Sequence, residues 1–169
     1  MGDKMNNLGI EIELAGTLMD LVVEFKPKSI VEIGTGYGVS TSALLQGVNT
    51  NKKGMIYTFD SVVRRPYEWE TMKIPAKRLR KFNCEFKDSE RLLPGKIDFV
   101  FHDAGHFFEH IQEDLGLVWK RIRKGAIIAI HDVVYAHEMG EKVQKMFDGM
   151  GWDYKVLDFG CGLGLARKK

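Results

Sequence analysis

Val31-Glu32-Ile33-Gly34-Thr35-Gly36-Tyr37-Gly38-Val39-Ser40-Thr41 decides how the rest of this chain is read. Ser29-Ile30-Val31 leads into it as a short buried strand. Ser40-Thr41-Ser42-Ala43-Leu44-Leu45 leaves it as a helix, with hydroxyls available to cap free N–H groups. Three glycines in the turn let a ligand lie on the backbone, because no Cβ blocks its approach. In open α/β sheets such a turn, at the carboxyl end of the first parallel strand, is where nucleotides bind. The spacing is E-x-G-x-G-x-G, and Val39 stands where G-x-G-x-x-G, counted from Gly34, needs its third glycine. By itself the turn is also compatible with a tight strand–helix connection that holds no ligand.

Outward from that turn, strands and helices alternate. Residues 1–10 carry little pattern and are expected to be loosely attached. Leu14, Leu18, Leu21, Val22 and Phe25 recur at helical steps, which predicts an amphipathic helix from Glu11 to Phe25. Met55 to Phe59 reads as a second strand ending on Asp60, and Asn83 to Lys87 as a short third strand followed by Asp88-Ser89. Ile97 to His102 is a buried strand ending on Asp103, and Phe107 to Ile122 has helical spacing up to a break at Lys124-Gly125. Ala126 to Ile130 is apolar throughout, as in the middle of a parallel sheet, and ends on His131-Asp132. A helix over Glu138 to Phe147 follows. Trp152 to Phe159 and Leu163 to Ala166 then pair as an antiparallel hairpin. The expected fold is a Rossmann-like, doubly wound α/β domain. Its seven-stranded sheet is mostly parallel, and an antiparallel C-terminal hairpin strand forms a reversed edge.

Hydrophobic residues make up 44% of the chain and charged ones 28%, the balance of a globular protein rather than a disordered one. The 169 residues suit one domain, 1–169, whose core needs no disulfide. A net charge of +2 is too small to imply a nucleic-acid or membrane partner, so neither is expected. Cys84 and Cys161 match no metal or redox spacing and read as free thiols of a reducing compartment. No leader pattern or membrane-length apolar run is present, so a cytoplasmic location is expected.

The chemistry of such a sheet sits beyond the carboxyl ends of its strands. There this sequence places Glu32 to Gly38, Asp60 with Ser61, Asp88-Ser89, Asp103 with His106, and His131-Asp132. Asp60 is placed to accept the hydroxyls of an adenosine ribose. Glu32 lies in an apolar strand and needs partners; it holds either the glycine loop or a ligand's amino group. Residues 61–82 contain Pro66, Pro75 and many cations, among them Arg64 and Lys81. They read as a solvated helix and loop, or as a mobile basic flap that favours an anionic substrate.

The E-x-G-x-G-x-G turn resembles the first motif of class I S-adenosylmethionine-dependent methyltransferases. Asp103-Ala104-Gly105-His106, Asp114, Leu117, Gly125 and His131-Asp132 extend the resemblance to the metal-dependent branch, from about Leu14 to Ala166. That branch includes the catechol-type O-methyltransferases, and the macrocin O-methyltransferases with their cephalosporin hydroxylase-like relatives. The resemblance implies that S-adenosylmethionine is held by Glu32, Gly34, Thr35, Gly36, Gly38, Ser40, Asp60, Ser61, Asp88, Ser89 and Asp103. Asp88-Ser89 would touch the adenine, unless they cap a helix. It further implies a divalent metal, usually magnesium, on Asp103, His131 and Asp132, with His106 as general base. The family has Asp-Asn or Glu-Asp at the last site. The His131 of this chain suits zinc, iron or manganese better than magnesium.

His106-Phe107-Phe108-Glu109-His110 also spells H-x-x-E-H, the inverzincin signature, but it opens a helix inside a βαβ pattern rather than pairing with a long later helix. His102, His110 and His137 read as structural or solvent-facing. No N/D-P-P-Y or Pro-Cys follows the fourth strand, which disfavours base methylation and leaves oxygen as the expected acceptor. The reading is O-methylation of a small-molecule hydroxyl, with a homo-oligomer possible in completing the pocket. The alternatives are a binding module without turnover and a metal-dependent hydroxylase-like enzyme on the same scaffold.

Overall fold

The computed structural model describes residues 2–135 and 137–169, with the backbone alone for residues 2–11 and for His137. The loose attachment expected of residues 1–10 and the role expected of His137 concern side chains outside the described residues.

Helix α1 (Gly2–Phe25) starts earlier than its apolar spacing predicts. Strand β1 (Ser29–Ile33), helix α2 (Val39–Thr50) and strand β2 (Met55–Phe59) follow, close to their expected limits. A short helix α3 (Glu68–Thr71) precedes strand β3 (Leu79–Phe82). The third strand therefore lies before the expected Asn83 to Lys87, which becomes a loop running into a 3₁₀ turn at Phe86–Asp88. The reason is position. β3 is an edge strand with one neighbour, where charged residues such as Arg80 and Lys81 are favoured, so its sequence lacks an apolar signature. Phe82 stacks on Phe59 at 5.0 Å and Phe86 meets the same ring edge-on at 5.3 Å, so both pack in the core although only Phe82 is in the strand.

Strand β4 (Ile97–His102), helix α4 (Phe108–Val118), strand β5 (Ile122–His131) and helix α5 (His137–Gly149) continue the alternation. Lys124-Gly125 does not break a helix; it lies inside β5. From Ile97 to Phe99 on β4, the partners on β5 jump from Ile122 to Ile127, so Arg123, Lys124 and Gly125 belong to a bulge. Strands β6 (Asp153–Leu157) and β7 (Leu163–Arg167) form the expected hairpin.

The sheet order is β3-β2-β1-β4-β5-β7-β6. β1 to β5 are parallel, and β7 is antiparallel to both β5 and β6. The reversed strand is thus internal, not at the edge. Burial explains the inversion: Leu163 to Ala166 are buried, whereas Asp153, Lys155 and Val156 on β6 are exposed and tolerate the edge. Side-chain alternation gives the sheet two apolar faces. Ile30, Phe99, Phe101, Ile127 and Ala129 pack under α1 and α2. Val31, Val100, Ile128 and Ile130 pack under α4 and α5, through Ile111, Leu115, Val143 and Phe147. Among the described residues, no helix is long and apolar enough to cross a membrane.

Candidate active site

The glycine turn ends β1 with three left-handed residues, Gly34 (φ 95°), Gly36 (φ 54°) and Gly38 (φ 85°). Each glycine answers a different demand. A Cβ on Gly34 would stand 2.1 Å from the Asp103 carbonyl oxygen, and one on Gly38 would stand 2.3 Å from the Trp69 ring. A Cβ on Gly36 meets no protein atom, because this glycine faces an open crevice. The hydroxyls that follow do not cap α2. Ser40 and Thr41 instead donate to the two carboxylate oxygens of Glu32, at 2.7 and 2.6 Å, and Ser42 donates to the Gly38 carbonyl. Glu32 has no solvent exposure, and burial is the main force pushing its carboxyl up to about 7 against those hydrogen bonds. Its side chain ties β1 to α2 beneath the loop. Thr35 is spent in the same layer, hydrogen-bonded through its hydroxyl to Thr58 at 2.7 Å.

Above the loop lies a crevice of about 570 Å³ between the ends of β1, β2 and β4. Gly34, Gly36, Asp60, Ser61 and Asp103 line it, as the sequence suggests. Asp60 accepts from the backbone N–H groups of Gly36 (2.9 Å) and Val62 (2.8 Å) and from Arg64 (3.0 Å). A carboxylate has about four acceptor positions, so capacity for a ribose hydroxyl remains. Acids dominate the lining: Asp60, Glu85, Asp103, Glu113 and Asp114 face Arg64, Lys87 and His110. Asp88 and Ser89 are not part of it. Asp88 is exposed in the 3₁₀ turn and Ser89 is buried as its C-cap, so neither caps a helix N-terminus.

A second hollow of about 290 Å³ shares Gly34, Gly36 and Asp103 with the crevice and is closed by Leu14, Ala15 and Tyr37. His131 and Asp132 stand at its far wall. The ends of β4 and β5 converge there, and one donor atom each from Asp103, His131 and Asp132 fit within 4.8 Å of one another. His131 Nδ1 is 3.0 Å from Asp103 and 3.5 Å from Asp132, and His106 Nδ1 is 2.7 Å from the other Asp132 oxygen. The His131 ring therefore stands between the two carboxylates, and the His106 ring meets Asp132 from another side. Asp132 has φ 63°, an unfavourable backbone for a non-glycine residue that persists only where its surroundings hold it. The surroundings include Cys161, whose thiol is pushed up by burial and by the neighbouring Asp132 carboxylate. Its carbonyl accepts from the N–H groups of Val134 and Tyr135.

The family model of the methyltransferase domain matches residues 31–133, more than half of the chain. The chain belongs to the methyltransferase domain family. Solved structures agree on the fold. The methyltransferase aligns with the O-methyltransferase TomG of Streptomyces achromogenes, solved in complex with S-adenosylmethionine, at a TM-score of 0.74 and 19% identity, over 92% of this chain and 79% of that one. The Podospora anserina methyltransferase PaMTH1, bound to S-adenosylhomocysteine, gives 0.69 and 18%, over 92% and 77%. Cofactor-bound Rv0187 from MTB gives 0.71 and 22%, over 92% and 79%. No curated protein matches the chain. Family and fold together make this a methyltransferase with the class I fold.

In the methyltransferase, then, the structure gathers Gly34, Gly36, Asp60, Ser61 and Asp103 around one crevice, and His106, His131 and Asp132 beside it. Glu32, Thr35 and Ser40 support the loop through their side chains, and Gly38 packs on Trp69. Sequence reading passes over Glu85, Lys87 and Glu113, which reach the crevice from the loop after β3 and from α4. His110, read as structural or solvent-facing, lines the crevice too and contacts Gly105. His102 is structural as expected: it is buried and bonds Asp114 at 2.9 Å. Residues 61–82, read either as a solvated helix and loop or as a basic flap, are pinned through their middle, where Tyr67 and Trp69 are buried and stacked at 4.4 Å.

Proposed function

We propose that the methyltransferase moves a methyl group to a hydroxyl oxygen of a small molecule. The observation that carries this reading is the meeting of two hollows at Gly34, Gly36 and Asp103, with the His106–Asp132 pair on the side away from Asp60. The larger crevice suits S-adenosylmethionine, whose sulfonium and ammonium outweigh its single carboxylate, because five acids face it. A dinucleotide with its anionic pyrophosphate would meet repulsion there. S-adenosylmethionine supplies an activated methyl whose in-line displacement leaves S-adenosylhomocysteine.

The chain's own work is alignment and proton removal. Gly36 opens the floor so that the methyl donor can approach the backbone, and Asp60 anchors the ribose hydroxyls. His106 is 58% exposed beside Asp132, which lines the smaller hollow, and takes the acceptor proton on its free ring nitrogen, while Asp132 holds the other ring nitrogen and stabilises the imidazolium. Tyr37 and Phe107, each 66% exposed, and Tyr135, 81% exposed, lie within three residues of this machinery and favour a planar, apolar acceptor body. TomG, an O-methyltransferase by name, supports oxygen as the acceptor.

Asp103, His131 and Asp132 also fit a divalent cation, which would act as a Lewis acid towards the acceptor hydroxyl. Their mixed imidazole and carboxylate donors suit zinc, iron or manganese as well as magnesium. A second reading keeps the O-methyl transfer and leaves out the metal. The 2.7 Å His106–Asp132 contact favours it, because a carboxylate-oriented imidazole is a sufficient base for an acidic phenol. Both readings are tested with methyl-labelled S-adenosylmethionine and a panel of phenols, catechols, aliphatic diols, amines and thiols. Transfer abolished by chelator and restored by a divalent ion supports the metal, and transfer indifferent to chelator supports the dyad. Label appearing only on amines or thiols overturns the oxygen acceptor.

A further inference from the structure

Every parallel strand of this sheet ends near acids, and the opposite rim of the sheet carries the counterpart. Lys26 and Lys28 precede β1, Lys52 and Lys53 precede β2, and Lys77 and Arg78 precede β3. Lys96 precedes β4, and the β5 bulge thrusts Arg123 and Lys124 out of the sheet at the same level. β7 runs backwards, so its end brings Arg167, Lys168 and Lys169 to this rim as well. Direct contacts bind the rim together. Arg78 donates to the carbonyls of Lys52 and Gly54, the Ser29 hydroxyl to that of Lys96, and Lys168 to that of Ile122. The acids among these cations are largely committed: Asp98 pairs with Arg123 and accepts from the backbone at Lys28 and Ser29, and Asp153 pairs with Lys169. Glu24, at the end of α1, is close by and lowers the field without cancelling it.

We propose that this rim binds the phosphate backbone of a nucleic acid. Its shape selects the partner class. The cations follow six neighbouring strands from β3 to β7, a line about 24 Å long at roughly 4.8 Å per strand. The line turns with the sheet, because adjacent strands rotate by about 20–25°. A narrow, twisting line of charge follows a polyanionic backbone along several phosphates, but it touches a flat lipid surface over only part of its length. The rim also lacks the apolar anchors an interfacial membrane site uses; Phe25 is half-exposed there and sits beneath Arg167. The net charge of +2 hides this surface because acids such as Asp60, Glu85, Asp103 and Asp132 stand at the other end of the strands. β1 alone is five residues long, about 17 Å, so a backbone held at the rim does not present its bases to the methyl donor. The rim anchors the enzyme and leaves acceptor choice to the crevice. The inference does not depend on which acceptor is used.

The test is fluorescence anisotropy of a labelled mixed-sequence RNA hairpin with the full chain at low and rising salt. Two double charge reversals of equal net charge are compared: Lys53→Glu with Lys124→Glu on the rim, and Lys81→Glu with Lys142→Glu towards the carboxyl ends of the strands. S-adenosylhomocysteine titration serves as the fold control for both. The expected result is at least tenfold weaker binding for the rim pair alone, with the slope of log affinity against log salt shallower by about 2. Equal losses in the two pairs would show a net-charge effect and overturn the proposal. So would no binding of the hairpin by the unaltered chain, or tighter binding to phosphatidylserine vesicles than to the hairpin.

Discussion

Glu32 shows what a single residue owes to its neighbours. An acid in an apolar strand announces a partner, but the partners are hydroxyls at Ser40 and Thr41, across the loop, and nothing in their own sequence says that they will donate backwards rather than cap α2. Burial leaves the carboxyl at about 7 in the folded chain, against 4.5 when free, so the folded state holds an extra proton between those values. The stabilisation linked to that proton is complete below about 4.5 and is lost as pH rises through about 7. Glu32→Gln should flatten this limb, whose height is on the order of 3 kcal/mol. Urea unfolding of both proteins across the interval measures it, and parallel pH profiles for the two would refute the burial argument. Asp60 was legible as a strand-end acid, while its ties to Gly36, Val62 and Arg64 emerge only from the fold. Asp60→Ala should weaken S-adenosylhomocysteine binding by ~1.5–3 kcal/mol, as for a lost charged acceptor. An unchanged calorimetric affinity would take the ribose role from it.

Elements were legible where burial is symmetrical and obscure where it is not. β4 and the apolar part of β5 have neighbours on both sides and helices on both faces, so their sequences are apolar throughout and easily found. β3 and β6 lie at the edges, and their charged or mixed sequences do not mark their position in the sheet. The glycine turn could be recognised from its spacing, but the separate duties of its glycines could not. Gly38→Ala should cost about 1–3 kcal/mol of stability, because the new methyl meets the Trp69 ring at 2.3 Å and φ is positive. Gly36→Ala has room in the free protein and meets only the strain of its positive φ, without a clash, so its loss should fall more heavily on S-adenosylhomocysteine affinity than on stability. Thermal unfolding and ligand titration of the two variants separate these effects. Equal stability losses with equal affinities would mean that Gly36 does not face the cofactor.

At the scale of the molecule, a parallel sheet delivers all its strand ends to one rim, and this chain has loaded that rim with acids and the opposite one with cations. Acids around the crevice favour a cationic methyl donor over an anionic dinucleotide. S-adenosylhomocysteine, which keeps an ammonium and one carboxylate, should therefore bind more tightly than NAD in side-by-side calorimetry, and the reverse order would contradict the electrostatic account. The same rim unites residues far apart in the chain: His106 and Asp132 belong to different strand ends and meet only because β4 and β5 are neighbours. The central claim is that this pair removes the acceptor's proton beside the bound methyl donor. It is tested most directly by the turnover number of His106→Ala at saturating S-adenosylmethionine, on whichever hydroxyl substrate the unaltered enzyme accepts. The account predicts a fall of roughly 10²–10⁴-fold with S-adenosylhomocysteine affinity unchanged; full turnover by the variant would contradict it.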